Sequence, residues 1–96
     1  MKVKDLLAYS DIQAACLSDV ERDISGAYVG DLLSWVMGRA QCDNAWITIM
    51  NNVNVLAVAT LADVSCVILA EGVTLDADLL NLAKEKALNV FYSSMP

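Results

Sequence analysis

The chain has 96 residues, is 57% hydrophobic, and carries a formal net charge of −6 with no histidine. That acidity argues against nucleic acid, whose affinity rests on Lys and Arg neutralising phosphates, and the basic residues are scattered rather than clustered. A chain this length makes one domain, residues 1–96, with a real core and little surplus.

A domain so apolar cannot hide all of it, so an exposed apolar patch and self-association as a homodimer are expected. The longest apolar stretch, Val53–Ala62, is short of the roughly 20 residues a membrane helix needs and is broken by Asn54 and Thr60. The opening Met1-Lys2-Val3-Lys4-Asp5 has no signal-peptide core behind it. The expected compartment is the cytoplasm.

In chain order, residues 3–9 read as a short helix with Leu6 and Leu7 inward. Residues 13–16 read as a strand, followed by a turn at Ser18-Asp19. Residues 20–25 alternate in strand fashion, with Val20, Arg22 and Ile24 against Glu21, Asp23 and Ser25. Residues 26–30 then form a connection, and Asp31 caps a helix over 32–40. On that helix Leu32, Trp35, Val36 and Arg39 share one face, widened by Leu33 and Met37.

A polar loop at 41–44 leads to the strongest strand, 45–50, rich in β-branched and aromatic residues. Asn51 or Asn52 caps a helix over Val53–Ala62, whose nearly all-round apolarity implies burial on most sides or at a subunit interface. Residues 65–69 have the unbroken apolar run of a parallel strand covered on both faces. Glu71-Gly72 turns the chain, Thr74 or Asp76 caps a helix over 76–87, and residues 90–92 form the last strand. Asp76 and Asp78 early, with Lys84 and Lys86 late, suit that helix's dipole. The alternation predicts a three-layer-like α/β domain, a short mostly parallel or mixed sheet flanked by helices.

Candidate chemistry is sparse. The three cysteines, Cys16, Cys42 and Cys66, lack zinc-site spacing. Cys16 and Cys66 read as buried hydrophobes and Cys42 as an exposed thiol. Gly26 and Gly30 match no phosphate-binding loop. The plain reading is that Gly26 supplies a backbone angle other residues dislike. The alternative is that Arg22 and the helix N-terminus hold an anion, against the charge of Asp31. Thr48, Asn51 and Asn52 read either as helix capping or as a ligand site at a strand's carboxyl end, with Ser25 converging from its own strand. Trp35 and Trp46 read as core or interface. Glu21 and Asp23 read as ion-pair partners rather than an acid/base pair. No nucleophile–histidine pair can form, so no catalytic residue, metal or cofactor is assigned.

The run Glu21-Arg22-Asp23-Ile24-Ser25-Gly26-Ala27-Tyr28-Val29-Gly30-Asp31-Leu32-Leu33-Ser34-Trp35-Val36-Met37 resembles the motif of the DRTGG domain family, as do residues 45–49, 54–59 and 67–72. The resemblance implies a fold like the N-terminal domain of HPr kinase/phosphorylase, without that enzyme's separate kinase domain. It implies a non-catalytic regulatory module that senses a small anion, such as an adenine nucleotide, or a partner protein. Oligomerisation without a ligand is the alternative, in a homodimer or on a host enzyme, with a link to hydrogenase or redox signalling systems. Arg22, Ser25, Gly26, Thr48, Asn51 and Asn52 are the candidate ligand-binding residues. Glu21 stands for the family's Asp, Ser25 for Thr, Ala27 for the second Gly, and Asn52 where histidine is frequent. The sequence ends at Pro96, short of a closing segment seen in relatives.

Overall fold

A computed structural model describes residues 1–94, so the chain end at Pro96 lies outside the described residues. Strands β1 (Ile12–Cys16), β2 (Gly26–Val29), β3 (Asn44–Thr48), β4 (Cys66–Leu69) and β5 (Val90–Ser93) form one sheet ordered β1-β5-β4-β3-β2. β2 to β5 run parallel, and β1 joins β5 antiparallel. The crossovers are helices α1 (Leu33–Arg39), α2 (Val53–Ala62) and α3 (Ala77–Glu85). Parallel strands need such returns, and the expected α/β class is the one found.

The helices bury Val36, Val55, Leu56, Ala59 and Ala83 in one core with Trp46, Val67, Leu69 and Val90 of the sheet. A smaller cluster contains Ala45, Cys66, Ile68 and Phe91, packed with Val3 and Leu6 of a 3₁₀ helix at Val3–Ala8. The third layer is thus thin. β4 is buried at every position, as its unbroken apolar run requires. Asn52 caps α2 by accepting from the Asn54 and Val55 amides, and Asp76 caps α3 by accepting from Leu79.

Several expectations change. Residues 20–25 form no strand; the strand begins at Gly26, inside the expected connection. The N-terminal segment has taken the backbone of 20–24. Val3 N–H donates to Arg22 O and Lys4 N–H to Val20 O, both at 2.9 Å, and Ile24 N–H donates to Met1 O at 2.6 Å. Gly26 is extended strand with no positive φ, so its need is for space: a Cβ there would stand 3.1 Å from Asn44 Nδ2. Leu7 points outward, 48% exposed, while Val3 takes the inward place.

Asp31 does not cap α1. Leu32 holds that position without a side-chain bond, because the Asp31 carboxylate accepts from Thr48 and the Ile49 amide. Of the residues read as sharing one face of α1, Val36 is buried, while Leu32 and Trp35 are more than half exposed, so the core alternative for Trp35 falls. Trp35 lies under Arg39, whose guanidinium carbon is 4.4 Å from the ring centroid. The core tryptophan is Trp46, fully buried and donating from Nε1 to Gly30 O at 2.9 Å.

Candidate functional site

The candidate residues fall into two groups at opposite ends of the sheet. Ser25 and Gly26 stand at the amino end of β2, whereas Thr48 closes β3 at its carboxyl end, and the two strands are parallel. At about 3.3 Å per residue, the groups lie on the order of 10 Å apart. The convergence of Ser25 with Thr48, Asn51 and Asn52 is therefore overturned. The sequence had placed Ser25 at a strand's end when it stands at a strand's beginning.

Arg22 organises the amino-end group. Its Nε donates to Asp43 Oδ1 at 2.8 Å; its Nη2 lies 3.0 Å from Asp63 Oδ1 and donates to Asp63 O at 2.5 Å. Both aspartates hold left-handed backbone, with φ of 66° and 55°, which Asp tolerates better than most residues. Asp63 is the C-cap of α2, where glycine is the usual occupant. The Asp43 amide donates to Asp63 O at 3.0 Å, so the two turns and Arg22 form one knot.

The exposed Cys42 thiol joins this knot, donating to Asp63 Oδ2 at 3.2 Å. Hydrogen bonding from Cys42 and then from Arg22 holds the Asp63 carboxyl below its ordinary range. The same bond to Asp63 raises the Cys42 thiol, which disfavours the reactive thiolate. Ser25 Oγ donates weakly to Cys42 O at 3.5 Å. Beside Arg22 lies a cavity of about 140 Å³ lined also by Ser65, Lys86 and Asn89. Asn89 is occupied: its amide donates to Asp19 O and Ser65 O and accepts from the Ser18 N–H. Glu21 and Asp23 pair with Lys4 and Lys2, the ion-pair reading of the sequence.

The carboxyl-end group is equally committed. Thr48, nearly fully buried, donates from Oγ1 to Asp31 Oδ1 at 2.7 Å and accepts from the Met50 amide at 3.2 Å. Asn51 Nδ2 donates to Thr74 O at 2.8 Å, tying this loop to the one before α3. Asn52 caps α2. Asp31 and Glu71 flank the shallow depression formed with Val29, Ile47, Thr48, Ile49 and Ala70. An anion approaching there meets two carboxylates. Among the described residues no group of His, Cys, Asp and Glu could hold a metal ion.

Sequence reasoning missed Asp31, Asp43 and Asp63 as the anchors of both groups. Asp43 and Asp63 each end a segment just before a parallel strand, where a tight turn calls for glycine, asparagine or aspartate. That signal was present but carries no hint of Arg22, 21 residues before Asp43.

No protein-family model matches the chain, and no curated protein matches it. Among solved structures, the chain matches the CBS and DRTGG domains of the regulatory region of Clostridium perfringens pyrophosphatase, complexed with the activator diadenosine tetraphosphate. The TM-score is 0.69 at 15% identity, over 98% of this chain and 40% of that one. The chain thus spans well under half of the structure it matches. At this identity the likeness is one of fold, and the fold that the DRTGG resemblance implied is the fold observed. No helix among the described residues is long and apolar enough to cross a membrane.

Proposed function

We propose that this chain is a non-catalytic regulatory module that acts by docking on another protein, a second copy of itself or a host enzyme. The observation that carries this reading is a contrast. Arg22, Thr48, Asn51 and Asn52 are all engaged within the fold, while Trp35, Leu32, Val29 and Leu61 stand more than half exposed. Large apolar side chains left in water at such density mark interaction surfaces, and an exposed tryptophan is a common anchor of them. The matching fold belongs to the regulatory region of a larger enzyme, which supports the same role here.

Sedimentation equilibrium at micromolar concentration tests the homodimeric form. A dimer that Trp35→Ser dissociates supports docking through α1, whereas a monomer assigns the role to a host enzyme.

A second reading is favoured by one observation: the matched structure holds diadenosine tetraphosphate. On that reading this module senses an adenine nucleotide or a related small anion. Arg22, Ser25 and Gly26 would form one half-site, and Thr48, Asn51 and Asn52 another on the opposite end of the sheet. An anion at Arg22 must displace carboxylates already bound to it, which is why this reading stands second. A thermal-shift screen against adenine nucleotides, dinucleotides and phosphate decides between the two. A hit lost in Arg22→Ala would raise the ligand reading above docking; silence leaves docking in place.

A further inference from the structure

The charge of this molecule is divided between two poles. Every basic side chain lies at or near the amino ends of the parallel strands. Lys2 and Lys4 pair with Asp23 and Glu21, Arg22 with Asp43 and Asp63. Arg39 closes α1, and Lys84 and Lys86 close α3. The acidic residues there, with Asp5, Asp19 and Glu85, offset that charge to within one unit. At the carboxyl ends stand Asp11, Asp31, Glu71, Asp76 and Asp78 with no basic residue among them. Asp31 bonds Thr48 at the end of β3, Glu71 follows β4, and Asp76 and Asp78 open α3. Asp11 precedes β1, whose Ile12 pairs with Ser93 at the end of β5. Nearly all of the formal −6 therefore sits on one end.

Part of this division serves the helices, since Asp76 and Asp78 suit the positive end of α3 and Arg39 and Lys84 suit the ends of theirs. Asp11 and Glu71 serve no helix. Their carboxylates, like that of Asp78, meet no partner among the described residues. The same pole exposes Val29 at 72%, Leu32 at 56%, Val53 at 51% and Ile49 at 44%, and Val29 and Ile49 line one depression with Asp31 and Glu71.

We infer that this pole is the docking surface for a basic, partly apolar segment of a partner protein. Apolar groups supply contact area, and the surrounding carboxylates select for Lys and Arg and speed encounter. Polyanions are repelled. A second copy of this chain meeting pole to pole would bring like charge against like charge, so a two-fold contact here is disfavoured. This inference rests on the docking reading above and names its partner's chemistry.

The test is chemical-shift mapping on the full, isotope-labelled chain with two designed amphipathic helical peptides of equal length. One has Lys on its polar face and the other Glu; both carry Leu on the apolar face. The Lys peptide is expected to shift amides at residues 29–32, 49–53 and 70–72 and the Glu peptide to leave them in place. Added salt should weaken the binding. The double variant Glu71→Lys and Asp78→Lys removes no hydrogen bond of the fold and should weaken the Lys peptide about tenfold or more.

Equal binding of both peptides at this pole, or mapping of the Lys peptide to the amino pole, overturns the basic partner while docking stands. Shifts at the pole that grow with protein concentration alone make a second copy the occupant and also overturn it. If neither peptide moves any amide, the basic partner falls, while the docking reading is decided separately by the sedimentation of the wild-type and Trp35→Ser chains.

Discussion

Arg22 grips Asp63 twice, through the carboxylate at 3.0 Å and through the backbone carbonyl at 2.5 Å. Asp63 has just ended α2 in left-handed backbone. The arginine that the motif presents as an anion binder is thus, in this fold, the pin that holds two turns together. Arg22→Ala should lower stability by about 1–2 kcal/mol, the range for hydrogen bonds to charged groups discounted for partial exposure. Arg22→Lys should recover only part of it, because a point charge cannot serve both aspartates as a fork does. Urea unfolding measures both, and an unchanged midpoint for Arg22→Ala would remove the pin from the account.

Acid should loosen the same knot. The Asp63 pKa lies below its ordinary 3.8 in the folded chain, through the Cys42 and Arg22 hydrogen bonds. A depressed carboxylate adds stability that is present above the unfolded value and is lost as pH falls through the folded one. Unfolding midpoints should drop as pH falls from 3.8 downward, with a shallower drop in Asp63→Asn.

Alkali should act through buried thiols. Burial pushes the Cys66 pKa up to about 12, from 9.0, and burial raises Cys16 as well. A raised thiol adds stability that is complete below the unfolded value and is lost as pH rises toward the folded one. Each pH unit above 9.0 should cost about 1.4 kcal/mol for Cys66. Cys66→Ala should lose that slope while costing core packing at every pH.

The three cysteines should separate by reagent access. Cys42 is exposed whereas Cys16 and Cys66 are buried. Native protein should react with an aromatic disulfide reagent at one thiol only, and unfolded protein at three. The bond to Asp63 should slow Cys42 relative to a free thiol, and Asp63→Ala should speed it. Two thiols reacting in the native state would contradict the placement of Cys16 or Cys66.

Asp31 should prove structural. Its carboxylate accepts from Thr48 Oγ1 at 2.7 Å and from the Ile49 amide at 3.0 Å, so Asp31→Ala strands the nearly buried Thr48 hydroxyl. A loss of about 1–3 kcal/mol is expected by thermal unfolding. Substituting Leu32, which holds the cap position without a side-chain bond, by Ser should be neutral or mildly stabilising, since serine favours that position.

Periodicity and capping chemistry carried much of the fold into view. Val53–Ala62 was readable because Asn52 precedes a helix that is apolar apart from Asn54 and Thr60. β4 was readable because a strand covered on both faces has no polar position. The stretch 20–25 misled because its alternation is real but its backbone partner is the N-terminus, a contact no local pattern reveals. Trp35 was readable only as core or interface, because helical spacing shows that residues share a face, not which way the face points. The candidate site divided on the same error. Once β2 begins at Gly26 rather than ending there, Ser25 moves to the far end of the sheet from Thr48.

The strand order carries a further consequence. β5 is the last strand in sequence yet lies between β1 and β4, paired on both sides. β1 therefore has no neighbour until the chain has been made as far as Ser93, more than seventy residues later. A chain emerging from the ribosome can assemble β2 to β4 with α1 and α2, but it must keep Ile12, Cys16 and the inner side of β4 waiting. Insertion of β5 is the closing event of folding, late and of high contact order. Chains halted before Val90 should be the ones that aggregate or meet a chaperone.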